Sequence, residues 1–445
     1  MENTYIIEGG KALKGSVTLS GAKNVALKIL IASLLFDDEV TVENIPDIGD
    51  IRELISLIEN LGATVQFTEK NTITINPKGL KKTTVDLLAG SKIRVSFMLF
   101  APLLARFGKA TIPNPGGCRL GSRPIDRHVS MMQAFGVHVS YDSKSGYYQA
   151  KMKEPTLHKA RYKFTKPTHT GTELALLFAV LTKGQSVIEN AAQEPEIDDL
   201  INFLNQNGAD ISRVHDKIVV HGGKKLQFNN IPYKIMNDRN EAPTYAAFGL
   251  ATKGDVTVLG VAPSDLHFFI DQVKKAGGGV EKVEGGIRFY YKGPLKKTDI
   301  ITRPHPGFMT DWQGPWAVIM TQANGISTIH ETVFENRFSY VSELKKLGAK
   351  IDFFQPKVDN PPAFYEFNYN EREDASAPQG IRIFGPTRLH NGVLNVADLR
   401  AGASLLIAAA VSHGESIISG ASVIDRGYEH IDQKLKALGA KIKKI

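Results

Sequence analysis

The sequence predicts an α/β fold built from six copies of one repeat, arranged as two domains of three copies each. The first observation is a signature, Gly-small-polar-β-branched, that follows a helix-like run and recurs at near-constant spacing. A fixed period of this kind dictates the fold, because each repeat must be one supersecondary unit. The steps are about 70 residues, and the last is about 20 residues longer. The signature glycines are Gly62, Gly136, Gly208, Gly277, Gly348 and Gly439.

The second observation is another landmark, a helix of small residues that ends at a glycine and is followed by a β-rich run. These glycines are predicted at the C′ position of the helix and are Gly108, Gly184, Gly254, Gly325 and Gly414. Each unit therefore has the order βαβαββ. Its first helix is apolar around much of its circumference, as in Ala401 to Val411. Helices of this kind are buried, so the sheets are expected to surround them.

The two ends of the chain predict how the domains close. The sixth repeat stops at Ile445 without a final strand, whereas a spare strand, residues 5–10, precedes the first repeat. We expect this N-terminal strand to complete the sixth repeat. The predicted domains are therefore residues 21–230, and residues 1–20 together with 231–445. The extra residues of the last step, 355–382, are expected to form an exposed loop or hairpin without chemistry.

Composition excludes several classes of protein. Hydrophobic residues make up 42% and charged residues 22%, as in soluble globular proteins. No stretch approaches the ~18 apolar residues of a membrane helix, and no secretory signal is expected. The net charge of +8 comes without basic residues interleaved with aromatic ones, so no nucleic-acid partner is predicted. The 12 histidines form no ligand-spaced cluster, so no metal is predicted.

Cys118 is the only cysteine, which fits a reducing, cytoplasmic location. It lies in a run, 115–124, that contains three glycines and two prolines and is therefore a loop. Arg119 and Arg123 flank it, and nearby positive charge stabilises a thiolate. A small buried residue is the alternative interpretation.

Polar residues fall at two equivalent places in the repeat, the start of the buried helix and the exit of the strand after it. Helix N-termini offer free N–H groups and partial positive charge, so these residues predict an anion site for phosphate or carboxylate. Each residue taken alone could instead be a cap or a salt bridge. Asp311, which enters a helix after a rigid turn, could be a cap or a general base. The helix-start group is Lys23, Asn24, Arg94, residues 168–170, Asp238, Arg239, Asp311, Asp398 and Arg400, with Thr168 counted as the candidate site residue of 168–170, and the strand-exit group includes Cys118, Arg123, Glu194, Arg337 and Arg426.

Several longer motifs resemble those of the enolpyruvyl transferases across nearly the whole chain. They are residues 19–24 (LSGAKN), 115–118 (PGGC), 123–126 (RPID), 189–196 (ENAAQEPE), 332–338 (TVFENRF), 397–401 (ADLRA) and 424–428 (IDRGY). The resemblance implies two inverse α/β-prism domains. It also implies transfer of the enolpyruvyl group of phosphoenolpyruvate to the 3-hydroxyl of UDP-N-acetylglucosamine with release of phosphate. That reaction is the first committed step of peptidoglycan synthesis, and it uses no cofactor or metal.

The resemblance also implies roles for individual residues. Lys23, Asn24, Arg123 and Arg426 would bind phosphoenolpyruvate, with Lys23 and Arg426 counted among the catalytic residues. Asp311 would take the proton of the sugar hydroxyl, and Cys118 would act from a mobile lid as acid or as nucleophile. The residues implied to bind the UDP-sugar are Asn24, Arg94, Arg123, Pro124, Ile125, Asp126, Thr168, Asp311 and Val333. Supporting residues are Arg337, Asp398, Arg400 and Glu194.

Four departures from the family pattern lie on the nucleotide-sugar side. They are Thr168–Gly171 in place of Ser-x-Gly-Ala, Ala242–Pro243 in place of Thr-Gly, Met98 in place of tryptophan, and Arg127 in place of an apolar residue. Two alternatives therefore stay open: a different nucleotide or nucleotide-sugar acceptor, and a non-catalytic nucleotide-sugar-binding paralogue. The sequence does not give the oligomeric state.

Overall fold

The computed structural model describes residues 3–117, 121, 123–370, 374 and 377–445. The described chain divides into two compact units. We call residues 21–117 and 124–236 the N-terminal unit, and residues 3–20, 121, 123 and 237–445 the C-terminal unit.

The strands and helices alternate as the repeat predicts. The strands are β1 (Thr4–Gly9), β2 (Lys14–Thr18), β3 (Val40–Glu43), β4 (Thr64–Glu69), β5 (Thr72–Asn76), β6 (Lys109–Pro113), β7 (Val137–Asp142), β8 (Tyr147–Met152), β9 (Arg161–Lys163), β10 (Gly184–Glu189), β11 (Ile211–Val214), β12 (Lys217–Gly222), β13 (Tyr233–Lys234), β14 (Asp255–Leu259), β15 (Gly279–Val283), β16 (Gly286–Tyr290), β17 (Ile300–Ile301), β18 (Gly325–His330), β19 (Lys350–Phe354), β20 (Gly380–Gly385), β21 (Val393–Asn395), β22 (Gly414–Ser419) and β23 (Lys441–Lys444). The α-helices are α1 (Lys23–Ser33), α2 (Gly49–Leu61), α3 (Leu87–Lys92), α4 (Phe100–Phe107), α5 (Asp126–Ala134), α6 (His169–Leu181), α7 (Pro195–Gln206), α8 (Ala242–Ala251), α9 (His267–Lys275), α10 (Gln313–Thr321), α11 (Tyr340–Lys346), α12 (Pro361–Phe364), α13 (Leu399–Val411), α14 (Ala421–Ile424) and α15 (Ile431–Ala437). Short 3-10 helices cover Pro77–Gly79, Arg94–Leu99, Pro263–Leu266 and Thr310–Trp312.

Within the described residues, each unit contains three sheets. The sheets of the N-terminal unit have the strand orders β13-β3-β5-β4, β6-β8-β7 and β9-β10-β12-β11. Those of the C-terminal unit are β2-β14-β16-β15, β17-β18-β20-β19 and β21-β22-β1-β23. In the sheets β9-β10-β12-β11 and β17-β18-β20-β19, one from each unit, the closing two strands are antiparallel and consecutive in the chain, and the opening strand runs parallel to its neighbour.

The N-terminal strand β1 completes the last sheet. It lies antiparallel between β22 and β23, with Ile6 opposite Ile417 and Ile7 opposite Ile442. Two opening strands pair with repeats distant in sequence. The sequence analysis placed β2 in the C-terminal domain, as the structure does, but it also placed β13 there, whereas β13 belongs to the N-terminal unit. Strand β2 pairs with β14 of the fourth repeat, and β13 pairs with β3 of the first repeat.

The first helix of most repeats is buried around its whole circumference. In α13 every residue from Leu399 to Ala410 is buried, and α8 and α10 are buried throughout. The three helices α8, α10 and α13 pack against one another inside the C-terminal unit. Burial of each large apolar side chain of such a helix stabilises the fold by ~1.5–3 kcal/mol. The prediction of buried helices enclosed by sheets is confirmed. In the second repeat the core segment is broken, with a 3-10 turn over Arg94–Leu99 before α4.

Glycine is needed at two of the landmark positions for different structural reasons. Gly108 follows α4 with φ of 68°, a left-handed conformation that favours glycine, so its predicted C′ role is confirmed. The backbone of Gly254, in contrast, does not have a positive φ. A Cβ there would lie 1.9 Å from the Leu13 oxygen, so close backbone approach requires the glycine.

The insertion at 355–382 connects β19 and β20, which pair as a hairpin. These two strands are the closing pair of the repeat, so the described residues of the insertion form a loop with the short helix α12 rather than a hairpin of their own. The prediction of exposure is wrong at two aromatic residues. Tyr365 and Phe367 are buried, and the Tyr365 ring stacks on Tyr369 at 5.5 Å. The segment is fixed to the fold because the Glu366 N–H donates to the Thr332 carbonyl at 2.8 Å.

Candidate functional site

Lys23 is the first residue of α1 and is held by a carboxylate. Its Nζ lies 2.6 Å from Asp50 Oδ2 in the first turn of α2, and both side chains are mostly buried. Asn24 follows Lys23 in the same turn. Asp50 was not among the predicted residues. The ion pair fixes the ammonium group at the N-terminus of a core helix, where an anion is favoured.

Arg94 and Asp126 lie close to one phenol ring in the N-terminal unit. Burial raises the pKa of Tyr148, and among the charges that act on this ring Arg94 lowers the pKa while Asp126 raises it. Arg94 opens the 3-10 turn, and Asp126 is the first residue of α5. Pro124 is exposed and Ile125 is buried just before that helix.

Thr168 caps α6, where its Oγ1 accepts from the Gly171 N–H at 3.4 Å. The same helix start is linked to α5, because His128 Nε2 and Thr170 Oγ1 are 2.8 Å apart. The first turns of α5 and α6, which carry the predicted acceptor residues Asp126 and Thr168, are therefore in contact through His128 and Thr170. Glu194, at the N-cap of α7, is buried in the same unit.

Four charged side chains lie together in the C-terminal unit, and we call them the Asp311 cluster. Its members are Asp311, Arg337, Asp398 and Arg400. Arg337 donates to Asp311 Oδ1 at 2.5 Å and lies 3.5 Å from Asp398 Oδ1. Arg400 Nε lies 3.8 Å from Asp311 Oδ2. Asp311 is 26% exposed, whereas Arg337 is 4% exposed, so the carboxylate is the accessible member of the pair.

The Asp311 cluster keeps its guanidinium groups charged despite burial. Burial lowers the pKa of Arg337, but Asp311 and Asp398 outweigh this effect and the pKa is raised. Asp398 also caps α13, accepting from the N–H groups of Arg400 and Ala401 at 3.1 and 3.0 Å. The Asp311 carboxylate, fixed by the ion pairs of this cluster, can accept a proton in a defined direction.

Glu331 orients the segment that contains Val333, and it was missed by the sequence analysis. Its buried carboxylate accepts from the N–H groups of Val333 and Phe334 at 2.7 and 3.1 Å. Thr310 Oγ1 donates to it at 2.9 Å, next to Asp311 in sequence. Burial raises the pKa of Glu331, and these hydrogen bonds oppose the rise. The sequence did contain a signal for Glu331, which is a single acidic residue directly before the Thr-Val-Phe motif.

The remaining predicted residues occupy two loops. Arg123 has a left-handed backbone with φ of 43°, and its guanidinium lies 5.3 Å from the centre of the Phe334 ring. Arg426 follows Asp425, whose oxygens accept from Tyr5 Oη at 2.6 Å and Lys444 Nζ at 2.5 Å. Cys118 lies outside the described residues.

The predicted residues thus form two groups, one within each unit. The group in the N-terminal unit comprises Lys23, Asn24, Arg94, Pro124, Ile125, Asp126, Thr168 and Glu194, and that of the C-terminal unit comprises Arg123, Asp311, Val333, Arg337, Asp398, Arg400 and Arg426. Of the four departures, Met98 is buried in the core and the Arg127 carbonyl accepts a 3.4 Å hydrogen bond from Tyr162 Oη.

Among the described residues, no three His, Cys, Asp or Glu side chains come together in a group that could hold a metal ion. The absence of a metal or cofactor stays a prediction. Within the same residues, no helix combines the length and apolar character needed to cross a membrane.

Comparison with known proteins gives a consistent result. The EPSP synthase family (3-phosphoshikimate 1-carboxyvinyltransferase) matches residues 7–435. UDP-N-acetylglucosamine 1-carboxyvinyltransferase of Idiomarina loihiensis is 37% identical over 444 residues, which cover 99% of both chains. The enzyme of the same name from Lawsonia intracellularis is 39% identical over 440 residues, covering 99% of this chain and 98% of the relative.

Solved structures show the same fold. The enolpyruvyl transferase NikO from Streptomyces tendae has a TM-score of 0.83 at 23% identity, covering 100% of this chain and 99% of its own. EPSP synthase from Acinetobacter baumannii has a TM-score of 0.73 at 17% identity, covering 100% of both chains. The predicted two-domain inverse α/β-prism fold is thereby confirmed.

Proposed function

The chain belongs to the EPSP synthase family, in the branch of the UDP-N-acetylglucosamine 1-carboxyvinyltransferases, and we propose that it transfers the enolpyruvyl group of phosphoenolpyruvate to UDP-N-acetylglucosamine. The sugar 3-hydroxyl oxygen forms a bond to the central carbon of phosphoenolpyruvate, and the bond from that carbon to the phosphate oxygen breaks. The products are the enolpyruvyl sugar nucleotide and inorganic phosphate. This is the first committed step of peptidoglycan synthesis, carried out in the cytoplasm.

The observation that carries the proposal is the Asp311 carboxylate, 26% exposed and held 2.5 Å from Arg337. Asp311 accepts the proton of the sugar hydroxyl as the oxygen attacks. Fixing the carboxylate by ion pairs keeps it oriented for that transfer, as general-base catalysis requires.

The phosphate and carboxylate of phosphoenolpyruvate are bound by cations. Lys23, with Asn24 beside it, serves from the start of α1, and Arg123 and Arg426 serve from their loops. Guanidinium and ammonium groups stabilise charge that develops on the leaving phosphate, so this chemistry proceeds with side chains alone. Cys118 gives a proton to the methylene carbon as the sugar oxygen adds, and a proton leaves the resulting methyl group as phosphate departs, which restores the double bond. In the alternative role, its thiolate attacks the neighbouring carbon.

The acceptor is bound by the group at the starts of α5 and α6. Arg94, Asp126 and Thr168, with Pro124 and Ile125, contact the nucleotide sugar, and Val333 contacts it from the segment that Glu331 orients. Arg337, Asp398 and Arg400 support Asp311, and Glu194 supports the start of α6.

The test is phosphate release from phosphoenolpyruvate by the purified full chain with three acceptor conditions: UDP-N-acetylglucosamine, UMP and none. We expect release with the sugar nucleotide alone, equimolar with an enolpyruvyl product identified by mass spectrometry. Release with UMP but not with the sugar nucleotide would move the activity to a different acceptor. No release under any condition would indicate a binding protein.

A further inference from the structure

Three charged side chains form a line through the core of the N-terminal unit, and we call them the buried triad. Lys28 Nζ on α1 lies 3.2 Å from Glu173 Oε2 on α6. The other oxygen, Oε1, lies 3.2 Å from Nε2 of His169, one turn earlier on α6. Lys28 and Glu173 are 2% and 0% exposed, whereas His169 is 23% exposed. The line therefore runs from the core to the surface and ends at His169.

Packing alone does not account for the buried triad. The two helices are otherwise apolar there, with Leu27 and Ile29 beside Lys28, and Leu174 beside Glu173. Taking an ion pair out of water costs several kcal/mol, and an apolar pair of similar volume is often equally stable or more so. None of the three side chains takes part in the reaction described above, so the charges call for another role.

The buried triad fixes the orientation of the His169 ring. Nε2 faces the carboxylate of Glu173 at ion-pair distance, without the geometry of a hydrogen bond, and Nδ1 is left for another partner. The described residues give His169 one polar contact, through Nε2, and none through Nδ1. The ring is therefore held by one nitrogen and open at the other.

The charges around His169 favour its protonated form. Burial lowers the pKa of His169, but Glu173 and Glu194 outweigh both burial and Lys28, and the pKa is raised. These groups approach from three directions: Glu173 from the same helix, Lys28 from α1, and Glu194 from the start of α7. His128 of α5 contacts the adjacent Thr170.

His169 also lies where the acceptor is proposed to bind. It directly follows Thr168, the cap of α6, and precedes Thr170, which contacts α5. A cationic N–H donor at this place suits an anionic oxygen, and the acceptor of the proposed reaction carries a diphosphate.

We propose that His169 is a specificity-determining residue that donates from Nδ1 to the diphosphate of the acceptor, and that Lys28 and Glu173 are its positioning residues. The inference rests on the proposed function. It explains why charge is kept inside this unit: the core pair holds the imidazole in one orientation before the acceptor arrives. Pre-organisation of this kind lowers the cost of binding.

The experiment measures the affinity for UDP-N-acetylglucosamine by calorimetry, together with kcat and both KM values, for wild type and His169→Gln. Loss of a hydrogen bond to a charged group weakens binding roughly 10- to 100-fold. We expect that weakening for the sugar nucleotide, with kcat and the KM for phosphoenolpyruvate changed less than about two-fold. Wild-type affinity should fall as the pH rises through the pKa of His169, and the variant should lack that dependence.

The positioning role is tested by the double variant Lys28→Met/Glu173→Leu, which removes both members of the core ion pair together, so that neither is left buried without the other. We expect it to melt close to wild type but to bind the sugar nucleotide more weakly, with the pH dependence moved to lower pH. A matched control is His158→Gln, since His158 forms a similar i,i+4 pair with Glu154 at 3.1 Å but is 45% exposed. It should match wild type in every measurement.

Two outcomes would overturn the inference. Unchanged affinity and pH profile in His169→Gln would show that the buried triad serves structure only. A double variant with wild-type stability, affinity and pH profile would remove the positioning role of Lys28 and Glu173. Failure of the proposed function is distinguishable, because wild type itself would then show no turnover with the sugar nucleotide, whether or not calorimetry detects binding.

Discussion

The two units use the same repeat but place different charges at the starts of their core helices. In the C-terminal unit, Asp311, Arg337, Asp398 and Arg400 are linked in one cluster with contacts of 2.5 to 3.8 Å. In the N-terminal unit, the pair of Lys23 with Asp50 and the buried triad are each built around a single carboxylate. The repeat thus determines where the helices begin, and the side chains determine the chemistry at each beginning.

The two arrangements of charge suit two different functions, general-base catalysis and anion binding. A carboxylate between guanidinium groups is oriented and accessible, which a general base requires. Cations held by one carboxylate each, at helix N-termini, suit the binding of phosphate oxygens. We therefore expect substitutions in the Asp311 cluster to act mainly on turnover and on stability, and those in the N-terminal unit to act mainly on affinity.

The largest effect is expected from Asp311→Asn, which keeps the shape of the side chain but removes its basicity. General-base catalysis contributes typically ~10²–10⁴-fold, so kcat should fall by that factor while affinity for the sugar nucleotide changes little. Steady-state kinetics with calorimetry measure both. Asp255→Asn is the matched control, because Asp255 also pairs with an arginine, Arg288, at 2.7 Å but on a strand, and it should leave kcat unchanged. A loss of affinity alone in Asp311→Asn would make Asp311 a ligand contact rather than a base.

The second-largest effect is expected on the free energy of unfolding. Arg337→Met removes a cation that is 4% exposed and leaves Asp311 and Asp398 without it. Breaking a buried ion network from one side costs about 3–5 kcal/mol, and the midpoint of urea unfolding should fall accordingly. Arg288→Met, on the surface, should shift the midpoint little. Equal shifts in the two variants would mean that the Asp311 cluster is no more important to the fold than a surface pair.

The sequence predicted the repeat because its marks are local. Glycines at fixed spacing and helices apolar on all sides are visible without any knowledge of contacts. The pairing of β13 is not local, because Tyr233–Lys234 is only two residues long and carries no sign of its partner Val42–Glu43. Only the folded chain reveals that pairing.

The same distinction holds for the candidate site. Asp311, Arg337, Asp398 and Arg400 were predicted from their repeat positions, but their mutual contacts required the structure. Asp50 and Glu331 were missed because each acts through a partner or backbone group that its own sequence context does not name. Lys28 and Glu173 did leave a signal, a single charge within an apolar helix, which a search for isolated charges in core helices would have found.

The smallest effect compares the caps of two equivalent core helices, α13 and α6. Asp398 accepts from two N–H groups at 3.1 and 3.0 Å and from Ser339 Oγ at 2.7 Å, whereas Thr168 accepts from one N–H at 3.4 Å. Loss of a cap costs about 0.5–2 kcal/mol. Asp398→Ala should lie at or above the top of that range, because Arg337 also loses a partner, and Thr168→Ala should lie at its lower end. Thermal unfolding of the two variants beside wild type measures the difference. Equal costs would show that the charge of Asp398 adds nothing to its cap, and the contrast between the two units would then lie in catalysis and binding rather than in the stability of their helices.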